Sequence, residues 1–163
     1  MLLPRAHLFI VRHMTTSTRF AVAVHVLTSI ALQKGKPVPS DMIASSVNTH
    51  STVIRRILSM LNSSGLTTAQ LGKGGGALLS LSPEDITLLD IYKSMENDLI
   101  FATHRVPPNN GCIVGRNILP ILTPVMNEAQ LALEQKLGNI SLSEIVSGVT
   151  ERGETHGGVL INL

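Results

Sequence analysis

Apolar residues recur at steps of three and four along most of this chain, a spacing typical of α-helices. The first such segment spans residues 17–33, contains no Gly or Pro, and is apolar on nearly every side. Because such a helix needs cover on all of its faces, we expect it to lie within the core. A Lys-Gly-Lys-Pro run at residues 34–37 predicts its end.

Two further helical segments follow, separated by a short turn. The first begins near Ser40, and the second is predicted over residues 51–63, where Ser64-Gly65 ends it. We expect Thr49 rather than His50 to be the N-cap of the second helix, since a threonine hydroxyl can accept a backbone N–H.

The second of these helices is amphipathic. Val53, Ile57 and Leu61 form its expected inner stripe, with Ile54 and Leu58 beside it. This assignment leaves Arg55 and Arg56 on the outer face.

A hairpin and a fourth helix come next. Residues 66–71 and 77–81 have strand composition and flank a glycine-rich turn at residues 72–76. Ser82 followed by Pro83 predicts the N-cap and first position of a helix.

The C-terminal part is again helical. A long helix is predicted from about residue 114 to residue 138, and Pro120 and Pro124 predict that its first part is kinked or that it starts later. A Ser-x-x-Glu capping box opens one more short helix over residues 141–149.

These elements predict a mostly α-helical fold with a small β-hairpin wing, that is, a winged helix-turn-helix followed by a long C-terminal dimerisation helix. The expected organisation is a flexible N-terminal extension (1–14), a winged helix-turn-helix domain (15–96), a loop bearing Cys112 (97–113), dimerisation helices (114–150) and a flexible tail (151–163).

Composition limits the partners of this fold. The 163 residues are 44% hydrophobic and 15% charged, with a mean hydropathy of +0.28. We therefore expect a partner to cover part of the apolar surface, and a second copy is the commonest one. Aromatic residues make up only 2%, which argues against binding of single strands or RNA by base stacking. A net charge of +2 means that any nucleic-acid footprint is local.

The predicted helix-turn-helix offers candidate DNA-binding residues. A recognition helix presents its N-terminal turns to base edges and phosphates. Here those positions are His50, Ser51, Thr52, Arg55 and Arg56. Two adjacent arginines alone are more often a solvated helix face, but the order of elements around them favours DNA.

The glycine-rich turn offers further candidates. Lys73 would project from its tip, and the amides of Gly74 and Gly75 can approach a phosphate closely. An ordinary hairpin turn is the alternative. A nucleotide-binding loop is not supported, because no Ser or Thr follows Lys73. Arg19 is either a phosphate contact or a solvated cation at the start of the first helix.

Cysteine usage and the N-terminus suggest where the protein works. A single cysteine, Cys112, excludes an internal disulfide framework and a multi-cysteine zinc site, and fits the reducing cytoplasm. A nearby cation would make it a possible redox site by lowering its pKa, although a lone loop cysteine is more often inert. The apolar run at residues 1–14 is too short and too interrupted to span a membrane.

Taken together, these residues resemble the Rrf2 family of bacterial winged helix-turn-helix transcriptional regulators. The resemblance covers about residues 15–149 and rests on residues 18–22, 43–61, 64–66 and the run Gly72-Lys73-Gly74-Gly75-Gly76-Ala77. It implies palindromic operators and a homodimer joined through the 114–138 helix with help from the first helix. By position, it implies that His50, Thr52 and Arg55 face bases, and that Arg19 and the wing contact the DNA backbone.

Two departures qualify this resemblance. Cluster-binding members carry three cysteines before the long helix, whereas this chain has only Cys112, so we expect no iron–sulfur cluster and no other cofactor. A wing-tip arginine common in the family is Leu71 here. We therefore expect a dimeric repressor that binds double-stranded DNA and has no enzymatic activity. The alternatives are a winged-helix protein-interaction module and a redox-responsive regulator acting through Cys112.

Overall fold

A computed structural model describes residues 17–96 and 99–155. Their elements, in chain order, are α1 (Arg19–Leu32), α2 (Ser40–Val47), α3 (Ser51–Ser63), β1 (Thr67–Gln70), β2 (Gly76–Leu79), α4 (Leu88–Met95), α5 (Ile113–Gly138) and α6 (Leu142–Thr155). The strands form an antiparallel hairpin in which Thr67 pairs with Leu79 and Gln70 with Gly76. The predicted winged helix-turn-helix with a long C-terminal helix is confirmed.

A single hydrophobic core joins the first four helices to the hairpin. Leu27 of α1, Ile43 of α2, Ile54 of α3 and Ile91 of α4 have no exposed surface. Burial of each such side chain contributes about 1.5–3 kcal/mol. Because all four helices share this core, α3 is held at a fixed position relative to α2.

Two details of α3 differ from the prediction. Its N-cap is His50, whose side chain makes no capping hydrogen bond, so Thr49 was the wrong choice. Its buried stripe is Ile54, Ile57 and Leu61, whereas Val53 is 45% exposed. Both stripes obey helical spacing and differ by one position, so periodicity alone could not choose between them.

The start of α4 also differs. Residues 83–85 form a turn, and the helix begins at Leu88 with Thr87 as its N-cap. A capping box fixes this start, since the Asp90 N–H donates to Thr87 Oγ1 at 3.1 Å and the Thr87 N–H donates to Asp90 Oδ2 at 2.9 Å. The prediction of Ser82 as the cap was therefore wrong.

The long helix α5 runs through both of its prolines, so the expectation of a later start was wrong. Pro120 and Pro124 are exposed, and solvent can bind the carbonyl groups that lack a helical N–H partner.

The predicted capping box of α6 is confirmed, because the Glu144 N–H donates to Ser141 Oγ at 3.2 Å. This helix continues to Thr155, into the predicted tail. The rest of that tail and the predicted extension at 1–14 lie outside the described residues.

The junction between α5 and α6 is tied to the start of α4 through main-chain atoms. The Leu88 N–H donates to Ile140 O at 2.9 Å, and the Leu142 N–H donates to Ile86 O at 2.8 Å. A third bond joins the Ser143 N–H to Pro83 O at 3.0 Å. The long helix therefore has a fixed attachment to the winged domain. Across the described ranges, no helix is both long and apolar enough to cross a bilayer.

Candidate nucleic-acid interface

The first turns of α3 gather the residues predicted from the helix-turn-helix. His50, Thr52, Arg55 and Arg56 are exposed, and Ser51 is half-buried. The opposite side of the helix is held in the core by its buried stripe. The local sequence thus fixes which side of α3 is available to a partner.

Arg55 is held by the first two residues of α2. Its Nε donates to Ser40 Oγ at 3.2 Å, and its other contacting nitrogen donates to Asp41 Oδ1 at 3.4 Å. The Arg55 and Asp41 side chains are 61% and 75% exposed, so this ion pair adds only about 0–1 kcal/mol to folding. Its main effect is to orient the guanidinium.

Sequence reasoning missed three residues beside these arginines. Ser40 and Asp41 were not predicted to reach Arg55, because the helix-turn-helix packing that joins them spans 14 residues or more of sequence. Val53 was assigned to the core but is exposed between Thr52 and the core stripe. An exposed valine in this position can contact the methyl group of a thymine.

The tip of the wing is built on left-handed glycines. Gly72 and Gly74 have φ values of +92° and +78°, and the exposed Lys73 lies between them. Leu71, at the entry to the turn, is 90% exposed. A cationic and an apolar side chain are therefore both exposed at the wing.

Glycine is required at two further positions because other backbone atoms lie close to where a Cβ would be, and not because φ is positive. A Cβ at Gly75 would lie 2.2 Å from the carbonyl oxygen of Gln70. A Cβ at Gly76 would lie 2.4 Å from the backbone of Val38. Val38 pairs with Ala77 through two backbone hydrogen bonds of 2.8 and 3.0 Å, which join the wing to the segment before α2.

A groove separates α3 from the wing. Its lining includes Arg55, Leu58 and Asn62 of α3 together with Gln70 and Leu71 of the hairpin. The groove is partly open to solvent, and both Arg55 and Leu71 line it. Of the predicted DNA-binding residues, Arg55 is the one that lines this groove.

Arg19 is engaged within the subunit. Its guanidinium donates to Glu96 Oε2 at 2.8 Å, and the Ser17 hydroxyl donates to Glu96 Oε1 at 2.5 Å. These contacts tie the start of α1 to the end of α4. The Arg19 side chain is still about half exposed. A phosphate contact by Arg19 stays a prediction and would have to compete with Glu96.

Cys112 is exposed at the N-cap of α5. The backbone N–H groups of Gly115 and Val114 lower the pKa of its thiol. Amides at a helix N-terminus stabilise the thiolate because they point partial positive charge at it. The sequence had suggested a neighbouring cation as the possible cause, and the structure supplies the helix start instead.

Comparison with known proteins gives matches over most of the chain. The Rrf2 family model, described as an iron-dependent transcriptional regulator, matches residues 16–148. A Bacillus subtilis (strain 168) protein named as an HTH-type transcriptional regulator, YwnA, is 35% identical over 132 residues, covering 80% of this chain and 96% of the relative.

Solved structures show the same fold. A crystal structure of a protein described as DNA-binding has a TM-score of 0.63 and 33% identity, and covers 78% of this chain and 97% of its own. IscR of T. potens has a TM-score of 0.65 at 21% identity, over 86% and 91% of the two chains. CymR (YrzC), the global cysteine regulator of B. subtilis, has a TM-score of 0.61 at 20% identity, over 82% and 97%.

The donor set of this chain does not fit an iron–sulfur cluster. The sequence supplies one cysteine, and a cluster held by this chain would need several thiolates. Within residues 17–96 and 99–155, no three His, Cys, Asp or Glu side chains come together as a metal site.

Proposed function

Because the chain belongs to the Rrf2 family of transcriptional regulators, we propose that it is a cytoplasmic repressor that binds palindromic operator DNA as a homodimer. The observation that carries this proposal is the exposed group His50, Thr52, Arg55 and Arg56 on the first turns of α3, beside the wing. The family's role is regulatory, and we assign the chain no enzymatic activity.

In this mechanism α3 enters the major groove. Ser51 and Thr52 can donate to or accept from base edges, and an arginine can bind the O6 and N7 atoms of guanine with two parallel hydrogen bonds. Arg56 has no ion pair within the described residues and is free to neutralise a phosphate. Lys73 and the Gly74 and Gly75 amides would contact the backbone beside the groove.

The long helix supports the proposed homodimer. No residue of α5 is buried within the subunit. Val114, Ile121 and Val125 recur at steps of seven and four and are 59–68% exposed, so they form one apolar stripe. A second copy would cover this stripe with the same stripe. Six of the fourteen residues of α1 are already buried within the subunit, so we assign α1 a smaller share of the interface.

Two subunits would present their recognition helices to successive major grooves, roughly 34 Å apart. If the dimer neutralises about six to ten phosphates, affinity should fall roughly a thousandfold or more between 50 and 200 mM salt. This steep dependence separates a DNA-binding protein from a winged-helix module that binds only proteins.

Arg55→Ala should weaken binding to a duplex selected by the wild-type protein by roughly 1–3 kcal/mol, because a bidentate base contact is lost. Fluorescence anisotropy titration at two salt concentrations measures the loss and tests the salt dependence. Arg105→Ala is the matched control, since it removes an exposed cation from the loop before α5. An equal loss in both variants would contradict base contact by Arg55.

A second candidate function is redox regulation through Cys112, which its exposure and lowered pKa favour. Its thiolate should form at lower pH than an ordinary cysteine thiolate. The rate of alkylation by iodoacetamide should therefore rise with pH around a midpoint below that of the urea-unfolded chain. Coincident midpoints would show that the helix start has no effect on the thiol. A Cys112→Ser variant that keeps a peroxide response in DNA binding would exclude the redox role.

A further inference from the structure

We propose that Asp41, together with Ser40, is a positioning residue that directs Arg55 to a base and away from phosphates. Asp41 thereby sets the ratio of operator binding to non-specific binding. This proposal rests on the proposed DNA-binding function and adds a specificity determinant from α2, outside the recognition helix.

The geometry leaves one edge of the guanidinium free. Ser40 and Asp41 accept from Nε and one terminal nitrogen of Arg55, which form the side edge of the planar group. The end edge, formed by the two terminal nitrogens, is left free and can bind guanine bidentately. With two acceptors on the side edge, the plane of the group is oriented before DNA arrives.

The charge of Asp41 affects the non-specific complex and the operator complex differently. A carboxylate on a DNA-facing surface is repelled by every phosphate, and non-specific binding comes almost entirely from phosphate contacts. On a duplex without the correct base, a phosphate is the most favourable DNA partner for Arg55. Asp41 competes with that phosphate for the guanidinium. On the operator, Arg55 binds the base while it remains paired with Asp41.

A purely local role for Asp41 is the competing explanation. An acidic residue in the first turn of a helix stabilises that helix by about 0.3–1 kcal/mol through the helix dipole. Such a role changes the stability of α2 without changing the discrimination between duplexes. The ratio of two affinities therefore distinguishes positioning from helix stabilisation.

The test compares wild-type protein with Asp41→Asn on two duplexes. One is selected by the wild-type protein from a random-sequence library, and the other is a scrambled duplex of the same composition. We expect Asp41→Asn to bind the scrambled duplex roughly threefold to tenfold more tightly, and the salt slope to steepen by about one per subunit. Affinity for the selected duplex should rise less or fall, so the discrimination ratio decreases.

Three further variants serve as controls. Glu84→Gln removes an equal charge from an exposed site in the turn that contacts the start of α6, and should leave the ratio unchanged. Ser40→Ala keeps all charges but removes the Nε acceptor, and should lower the ratio with little change in salt slope. In an Arg55→Lys background, Asp41→Asn should lose most of its effect, because an ammonium cannot hold both acceptors and a base in one plane.

If Asp41→Asn changes the affinity for both duplexes equally, or if Glu84→Gln lowers the discrimination ratio by the same amount, the proposal is overturned. The proposed DNA-binding function would be unaffected by either result. A wild-type protein that selects no duplex at all would overturn the proposed function, and this proposal with it. Melting temperatures of all variants verify that each is folded at the temperature of the assay.

Discussion

Ile121→Glu should convert the protein to a monomer and lower its affinity for a palindromic duplex by roughly two orders of magnitude or more. Ile121 lies at the centre of the apolar stripe that also contains Val114 and Val125. In the proposed symmetric dimer, each substitution places two carboxylates in one apolar interface, because every contact occurs twice. Burial of an unpaired charge costs several kcal/mol. The second half-site contact is then no longer intramolecular.

Sedimentation velocity measures the mass, and anisotropy titration with a palindromic and a half-site duplex measures the affinity. The expected pattern is a large loss on the palindrome and a small one on the half-site. Asn127→Asp adds the same charge at an exposed position of α5 that lies about 120–160° around the helix from the stripe, and should remain dimeric. A wild-type protein that is monomeric at micromolar concentration would contradict the stripe as the interface.

Gly76→Ala should strongly destabilise the attachment of the wing. Its Cβ would lie 2.4–2.7 Å from backbone atoms of Val38, and backbone cannot move aside as a side chain can. The clash between this Cβ and Val38 can be relieved only if the backbone bridge between Val38 and Ala77 breaks. Overpacking of about 1–3 kcal/mol and the loss of two hydrogen bonds of about 1 kcal/mol each suggest a cost of about 3 kcal/mol or more. The melting temperature should fall by roughly 6–12 °C.

Gly74→Ala provides the comparison within the same turn. A Cβ there meets no atom within 4 Å, and only the positive φ of +78° opposes it. We expect a cost of about 1 kcal/mol. Calorimetry on both variants decides whether close approach or torsion dominates. If the two glycine substitutions cost the same, the contact with Val38 does not hold the wing as described.

The boundaries that the sequence predicted well are those marked by turn residues. The bounds of α3 were predicted because Ser64-Gly65 ends the helix and the polar turn at residues 48–50 precedes it. The wing was found because glycine at successive positions leaves few alternatives to a tight turn. Such signals depend on neighbouring residues, so they do not depend on how the rest of the chain packs.

What the sequence could not decide depends on tertiary contacts. Ser82 was predicted to cap α4, but the observed cap is Thr87, where the Leu88 N–H that follows it donates to the carbonyl of Ile140, far along the chain. Val53 and Ile54 differ by one position on a helix, and only packing against the other helices shows which is buried. The pairing of Arg55 with Asp41 likewise follows from how α2 lies against α3.

The attachment of the long helix to the winged domain has a consequence for how this protein can diverge. The three bonds between residues 83–88 and 140–143 use only N–H and carbonyl groups, which nearly every amino acid supplies. The angle between the two parts of the molecule can therefore persist through substitutions that keep the buried side chains of Ile86, Leu88 and Leu142 apolar. Proline alone lacks the donor, so lineages that keep this arrangement should avoid it at positions 88, 142 and 143.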